Sequence, residues 1–240
     1  MRIDDILLFT KECLENYDGS HDFFHAIRVG SNAMKMKPQH IDLTLIAALL
    51  HDTCDPKYVN KKKALLTIET FLKYYLDSSE IDDIKRAIEQ VSFTRLKVNG
   101  VPTFATNRSL NIWKIVSQAD MLEALGVTGV VRTLMYQGQK ENKLEDALDY
   151  CRYELIKCVD FITYSQMQEE ARKRKISMLK LVNDIKSNDS LHMIAEFIMN
   201  SGASKRSFMF VINNIFKLLD AKCMWIEKEY NREVNFTLSK

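Results

Sequence analysis

Seven glycines and three prolines are all that interrupt 240 residues. A chain so poor in turn formers cannot make the corners that an all-β protein needs about every 8–12 residues, so it must run mostly as helices. Apolar residues recur at three- and four-residue intervals and predict helices over residues 3–16, 21–36, 42–51, 61–76, 80–92, 109–125, 127–137, 142–160, 163–186, 189–200 and 205–230. The fold class read from this pattern is all-α. Asp42 and Ser109 are candidate N-caps, and Gly126 is a candidate helix stop. The exception is "SFTRLKVNGVPTFATN", residues 92–107, where β-branched and aromatic residues flank Asn99-Gly100 and suggest a hairpin or a lid.

Charge excludes some partners. Charged residues make up 28% with a net charge of +2, so no basic excess draws the chain to nucleic acid or to an anionic membrane. The densest basic run, Arg172-Lys173-Arg174-Lys175, reads as a solvated helix face. Met1, Arg2, Asp4 and Asp5 show no apolar leader, and "LTLIAALL" at 43–50 is far short of the roughly 20 residues of a membrane span. Five cysteines at irregular spacing read as reduced thiols, and the expected location is cytoplasmic. A weak boundary at "IKSNDS", 185–190, suggests a main domain over 1–186 with accessory C-terminal helices, 187–240, packed on it.

Five histidines occur, and two stand in conspicuous places. "SHDFFHAIRVG", residues 20–30, carries His21, Asp22, His25 and Arg28 on one amphipathic pattern. In "IAALLHDTCDPKY", residues 46–58, an apolar helix runs into His51-Asp52 and then Asp55 and Lys57; such a helix anchors in the core and holds its end rigidly. Further on, "IVSQADMLEALGVTGVVRT" presents Asp120 and Glu123 three residues apart, on one helix face. Imidazoles and carboxylates together suit a divalent ion such as Mn, Mg, Fe, Co or Ni, with positions left for water and substrate. That is a hydrolytic design, in which the ion acidifies a water and clamps a phosphoryl oxygen. His40 and His192 fall outside these patterns and are assigned no role.

These residues resemble the HD-domain metal-dependent phosphohydrolases. His25, His51-Asp52 and Asp120 follow that superfamily's H…HD…D order, and "HDFFHAIRV", "AALLHDTCDPKY", "VSFTR" and "QADMLEALGVTGVVRT" look like the small subgroup with HDxxHxxRV, LLHDxxDxK, SFS and DADRLDAxGxxGxxR motifs. The resemblance spans roughly residues 5–185 and implies an HD-domain helical bundle. It makes His25, His51, Asp52 and Asp120 the metal ligands. It gives Asp55 the task of orienting or deprotonating the attacking water, and Lys57 and Arg28 contact with phosphate. His21 would be a proton donor or a supporting group, with Asp22 in a similar role. Arg132 would serve either the phosphate or an internal ion pair, and Glu123 stands where the family has an aspartate. Gln118-Ala119 precedes Asp120 where the family has Asp-Ala, and no histidine lies between Asp52 and Asp120, which favours one metal ion per chain.

The expected function is metal-dependent hydrolysis of a small phosphorylated metabolite, in particular a nucleotide: either pyrophosphate release from a nucleoside triphosphate or loss of phosphate from a nucleotide. The alternative is a catalytically weakened HD scaffold that binds nucleotide or a protein partner as a sensor. Subunit count is left open by the sequence.

Overall fold

A computed structural model of the protein describes residues 3–204 and 206–239. Met1, Arg2, Lys205, where one expected helix begins, and Lys240 lie outside the described residues. The rest is all-α. In order the helices are α1 (Ile3–Leu14), α2 (Phe23–Lys35), α3 (Ile41–Leu50), α4 (Lys61–Leu72), α5 (Ser78–Glu89), α6 (Phe93–Asn99), α7 (Asn107–Glu123), α8 (Gly126–Gln139) and α9 (Leu144–Tyr153). After a 3-10 turn at Leu155–Lys157 come α10 (Cys158–Phe161), α11 (Ser165–Ser187), α12 (Asp189–Ala203), α13 (Phe208–Leu218) and α14 (Met224–Leu238). Among the described residues no strand is present, and no helix is long and apolar enough to cross a membrane.

Several local expectations need correction. Residues 92–107 form no hairpin: the Ser92 side chain accepts from the Arg95 N–H and opens α6, and Gly100, at φ 72°, closes it by donating its N–H to the Leu96 carbonyl. Asn99-Gly100 is thus a helix stop. The N-cap of α3 is His40, with no side-chain bond, and Asp42 sits within the first turn, where its charge complements the exposed N–H groups. For α7 the hydroxyl of Thr106, and not Ser109, takes the capping role, accepting from the Ser109 N–H at 3.0 Å. The expected helix over 205–230 splits because Asp220 accepts from the N–H groups of Lys222 and Cys223 at 2.9 and 3.1 Å, an Asx-type turn that starts a new helix direction.

The chain forms two compact units, one of residues 1–17 and 23–120, the other of residues 18–22 and 121–240. In the first, α3 is apolar on all sides, and it is packed by α1, α2 and α5. A buried polar knot ties α5 to the start of α7: the Asp83 carboxylate accepts from Thr106, Ser109 and Arg108. Burial opposes the Asp83 charge, yet these donors outweigh it and hold the carboxyl below its usual range. A depressed folded-state pKa contributes stability above the unfolded value, near 4, that is lost as pH falls through the folded value. Acid titration of the unfolding free energy is therefore expected to show a limb below about pH 4 that flattens in Asp83→Asn.

In the second unit α8 takes the central place, packed by α9, α11, α12 and α14. A break does fall at Asn188, between α11 and α12, but α12 and α14 share the α8 core with α11. The reading of residues 172–175 as a solvated face fails at Arg174, which is fully buried. Its guanidinium donates to Glu170 Oε1 (2.7 Å), Glu123 Oε1 (3.2 Å), the carbonyls of Leu122 and Glu233 (both 3.2 Å) and Thr237 Oγ1 (3.0 Å). Beside it the buried Glu233 carboxylate accepts from the Val127 and Thr128 N–H groups at 2.9 and 3.1 Å, so α14 caps α8. Gly126, with φ 82°, is required there, since a Cβ would run into the Glu233 carboxylate.

Candidate metal centre

Three elements of the first unit supply the site. α2 carries His25 in its first turn, the apolar α3 ends at His51 as its C-cap residue, and α7 carries Asp120 near its C-terminus. Because the C-terminal half of α3, Ile46–Leu50, is buried, His51 is driven into the interior with it, and its Nδ1 lies 2.8 Å from the Ala48 carbonyl. A carbonyl only accepts, so Nδ1 carries the hydrogen, and the Nε2 lone pair faces the other way.

What it faces is anionic. His51 Nε2 lies 3.2 Å from Asp52 Oδ2 and 3.8 Å from Asp120 Oδ1, and His25 Nε2 lies 3.4 and 3.3 Å from the same two oxygens. The two rings are 5.2 Å apart, and one donor atom each from His25, His51 and Asp52 lie within 4.8 Å of one another. A lone pair against a carboxylate repels unless a proton or a cation sits between them. Protein donors bond a divalent transition ion at about 2.1 Å, which puts neighbouring donors about 3.0 Å apart at a right angle and about 3.4 Å apart at a tetrahedral one. The observed N to O spacings of 3.2–3.4 Å fit that requirement, with the His51–Asp120 pair slightly wider.

Titration follows the same logic. Burial disfavours an imidazolium, yet Asp52, Asp120 and the Ala48 carbonyl push the His51 pKa up to about 9. Burial likewise opposes the Asp120 charge, and His25 and His51 more than compensate, holding its carboxyl below the ordinary range. A pocket that draws a proton this strongly into a buried ring is one shaped for positive charge. The imidazole side chains are 1% exposed while those of Asp52 and Asp120 are 16% and 26% exposed, so the open side of the cluster is the carboxylate side.

The remaining expected residues are held as follows. Asp55 lies in consecutive turns after α3, its N–H on the Asp52 carbonyl at 3.0 Å; its carboxylate accepts from the Lys57 N–H at 2.9 Å and lies 3.4 Å from Lys57 Nζ. The Lys57 side chain is about half exposed at 47%. Arg28 is buried one turn after His25 on α2. His21 and Asp22 precede the start of α2 at Phe23, so the shared helix expected for His21 and His25 is absent. His21 Nδ1 lies 2.7 Å from Ser20 Oγ and 3.3 Å from Asp18 Oδ1, with its ring against Tyr136. Arg132 donates to the carbonyls of Ser20 (2.7 Å) and Glu123 (3.5 Å), and the Glu123 carboxylate meets Arg174.

Sequence reasoning missed Tyr17. Its hydroxyl donates to the Thr53 carbonyl across 36 residues, a link that no local spacing announces.

Comparison with known proteins bears on the fold. No protein-family model matches the chain. The Bacillus subtilis protein YpgQ is 24% identical over 195 residues, covering 77% of this chain and 92% of its own. Its crystal structure in complex with ADP aligns with a TM-score of 0.62 at 21% identity, over 79% of this chain and 100% of that one. A Lactobacillus plantarum protein aligns with a TM-score of 0.66 at 22% identity, over 78% of this chain and 96% of that one. An HD-superfamily hydrolase from Bacillus thuringiensis aligns at 0.58 and 23% identity, over 77% and 95% of the two chains.

Proposed function

The chain has the fold of an HD-superfamily hydrolase, and on that premise we propose that it is a divalent-metal-dependent phosphohydrolase acting on a small phosphorylated metabolite, a nucleotide in particular. The observation that carries the reading is the convergence of His25, His51 and Asp52, with the Asp120 carboxylate 3.3 and 3.8 Å from the two imidazoles, so that lone pairs and negative charge face one another. Support for a nucleotide comes from the ADP in the YpgQ crystal structure.

In this proposal one ion, Mn, Mg, Fe, Co or Ni, is held by those four residues; when bound it supplies Lewis acidity toward water and a phosphoryl oxygen. Asp55 orients the attacking water and accepts its proton. Lys57 and Arg28 neutralise charge that grows on the phosphoryl oxygens. His21 and Asp22 are proposed as proton-donating or supporting groups. For Glu123 and Arg132, internal partners favour a bracing role over contact with substrate. Residues 187–240 are proposed as an accessory segment to the 1–186 hydrolase domain.

The test is a panel of nucleoside mono-, di- and triphosphates with Mn, Mg, Co or Ni, the products resolved by chromatography. Release of pyrophosphate or phosphate that EDTA abolishes is the expected result. Metal binding and thermal stabilisation by ADP without turnover of any member would replace this reading with the nucleotide sensor.

A further inference from the structure

The turn that follows α3 carries Asp52 at its start and Asp55 in its middle, and Thr53 ties its beginning to the Leu50 carbonyl through both its N–H and its hydroxyl. The Asp55 N–H donates to the Asp52 carbonyl, and the Tyr58 and Val59 N–H groups donate to the Asp55 carbonyl, at 3.0, 3.1 and 3.2 Å. A short run of consecutive turns is soft unless something outside it holds it. Here one side chain grips it at two points. Tyr17, just beyond α1 and 9% exposed, donates its hydroxyl to the Thr53 carbonyl at 3.2 Å and stacks its ring on Tyr58 at 4.3 Å between centroids. Leu14 and Ala26, the residue after His25, complete an apolar cluster with Tyr17, against which Tyr58 and Val59 pack.

The geometry points to Tyr17 as a positioning residue that sets Asp55 relative to Asp52 by pinning the turn between Thr53 and Tyr58. The inference rests on the hydrolase reading above for the task of Asp55. It uses the phenol only as a neutral donor: burial first, and then the carboxylates of Asp52 and Asp55, hold the phenol far above its ordinary pKa. Its two grip points, Thr53 and Tyr58, both follow Asp52 in the chain, and His51 is fixed separately from the α3 side by the Ala48 carbonyl. Metal affinity and positioning of Asp55 are thereby separable.

Tyr17→Phe tests this, because it deletes one hydroxyl and keeps the stacked ring. In the metal-free protein, amide hydrogen exchange at Asp55, Tyr58 and Val59 is expected to accelerate about fivefold while α2 and α3 amides stay as in wild type, the loosening that one lost hydrogen bond gives. With metal and a turned-over nucleotide, kcat is expected to fall about tenfold, with KM and Mn affinity within about twofold of wild type, the pattern of a group acting only in the transition state. A merely structural contact would lower the melting temperature without this split. Unchanged exchange at the three amides overturns the inference whatever the activity, and so does accelerated exchange with an unchanged kcat. Absence of turnover in the wild-type protein would count instead against the hydrolase reading, and exchange alone then decides the role of Tyr17.

Discussion

Asp52→Ala is expected to abolish divalent-metal binding and to lower kcat/KM by a factor on the order of a thousand, down to the level of the EDTA-treated protein. The expectation follows from where one oxygen sits. Asp52 Oδ2 is 3.2 Å from His51 Nε2 and 3.4 Å from His25 Nε2, so it bridges the two imidazoles on the exposed side of the cluster. Deleting it removes a donor and half of the negative charge that offsets a cation. Asp52→Asn keeps the shape and one neutral donor oxygen, and is expected to retain weak metal binding with little turnover. Because Asp52 is partly exposed and lies beyond the end of α3, neither variant should unfold the protein. Isothermal titration with Mn and initial rates with the nucleotide chosen by the panel decide the matter; metal affinity within twofold of wild type in Asp52→Ala would refute the donor assignment.

Arg174→Met is expected to destabilise the fold by about 3–5 kcal/mol, measured by equilibrium denaturation. The methionine fills much of the side-chain volume, so the loss is chiefly electrostatic. It leaves Glu123, Glu170 and Glu233 in the interior without the guanidinium that bonds the first two directly and lies against the third. Burial already holds the Glu233 carboxyl above its ordinary range, with Arg174 and the Val127 and Thr128 amides pulling it down. Removing Arg174 leaves protonation as its main relief, which weakens the cap on α8. Arg172→Met, two residues away on an exposed side chain paired to Glu169, is the matched control and should change stability by no more than about 0.5 kcal/mol. Equal effects of the two substitutions would contradict the buried network.

The contrast between Arg172 and Arg174 shows where a sequence can be read and where it cannot. Helix content was legible because it depends on spacing and on the shortage of glycine and proline, which are local properties. The apolar run of α3 and the residues at its end were legible for the same reason, and they led to His51 and Asp52. Arg174 looked like its neighbours because a buried arginine is identified only by its partners, and the distant ones lie 51, 59 and 63 residues away, at Glu123 in one direction and at Glu233 and Thr237 in the other. Tyr17 escaped notice likewise: its meaning resides in Thr53 and Tyr58. For His21 only the expected shared helix fails, since HxxxH spacing suggests one helix face, yet α2 begins at Phe23. Glu123 and Arg132, read from motif position as candidates for substrate contact, turn out to have partners that only folding reveals.

The account's central claim is that one cation is held jointly by His25, His51, Asp52 and Asp120. A crystal structure of the Mn-loaded protein, with the ion located by anomalous scattering, tests it most directly. One Mn per chain within about 2.3 Å of both Nε2 atoms and of an oxygen from each aspartate is the predicted result. An ion bound elsewhere, or the four side chains turned apart with Mn present at saturating concentration, would contradict it.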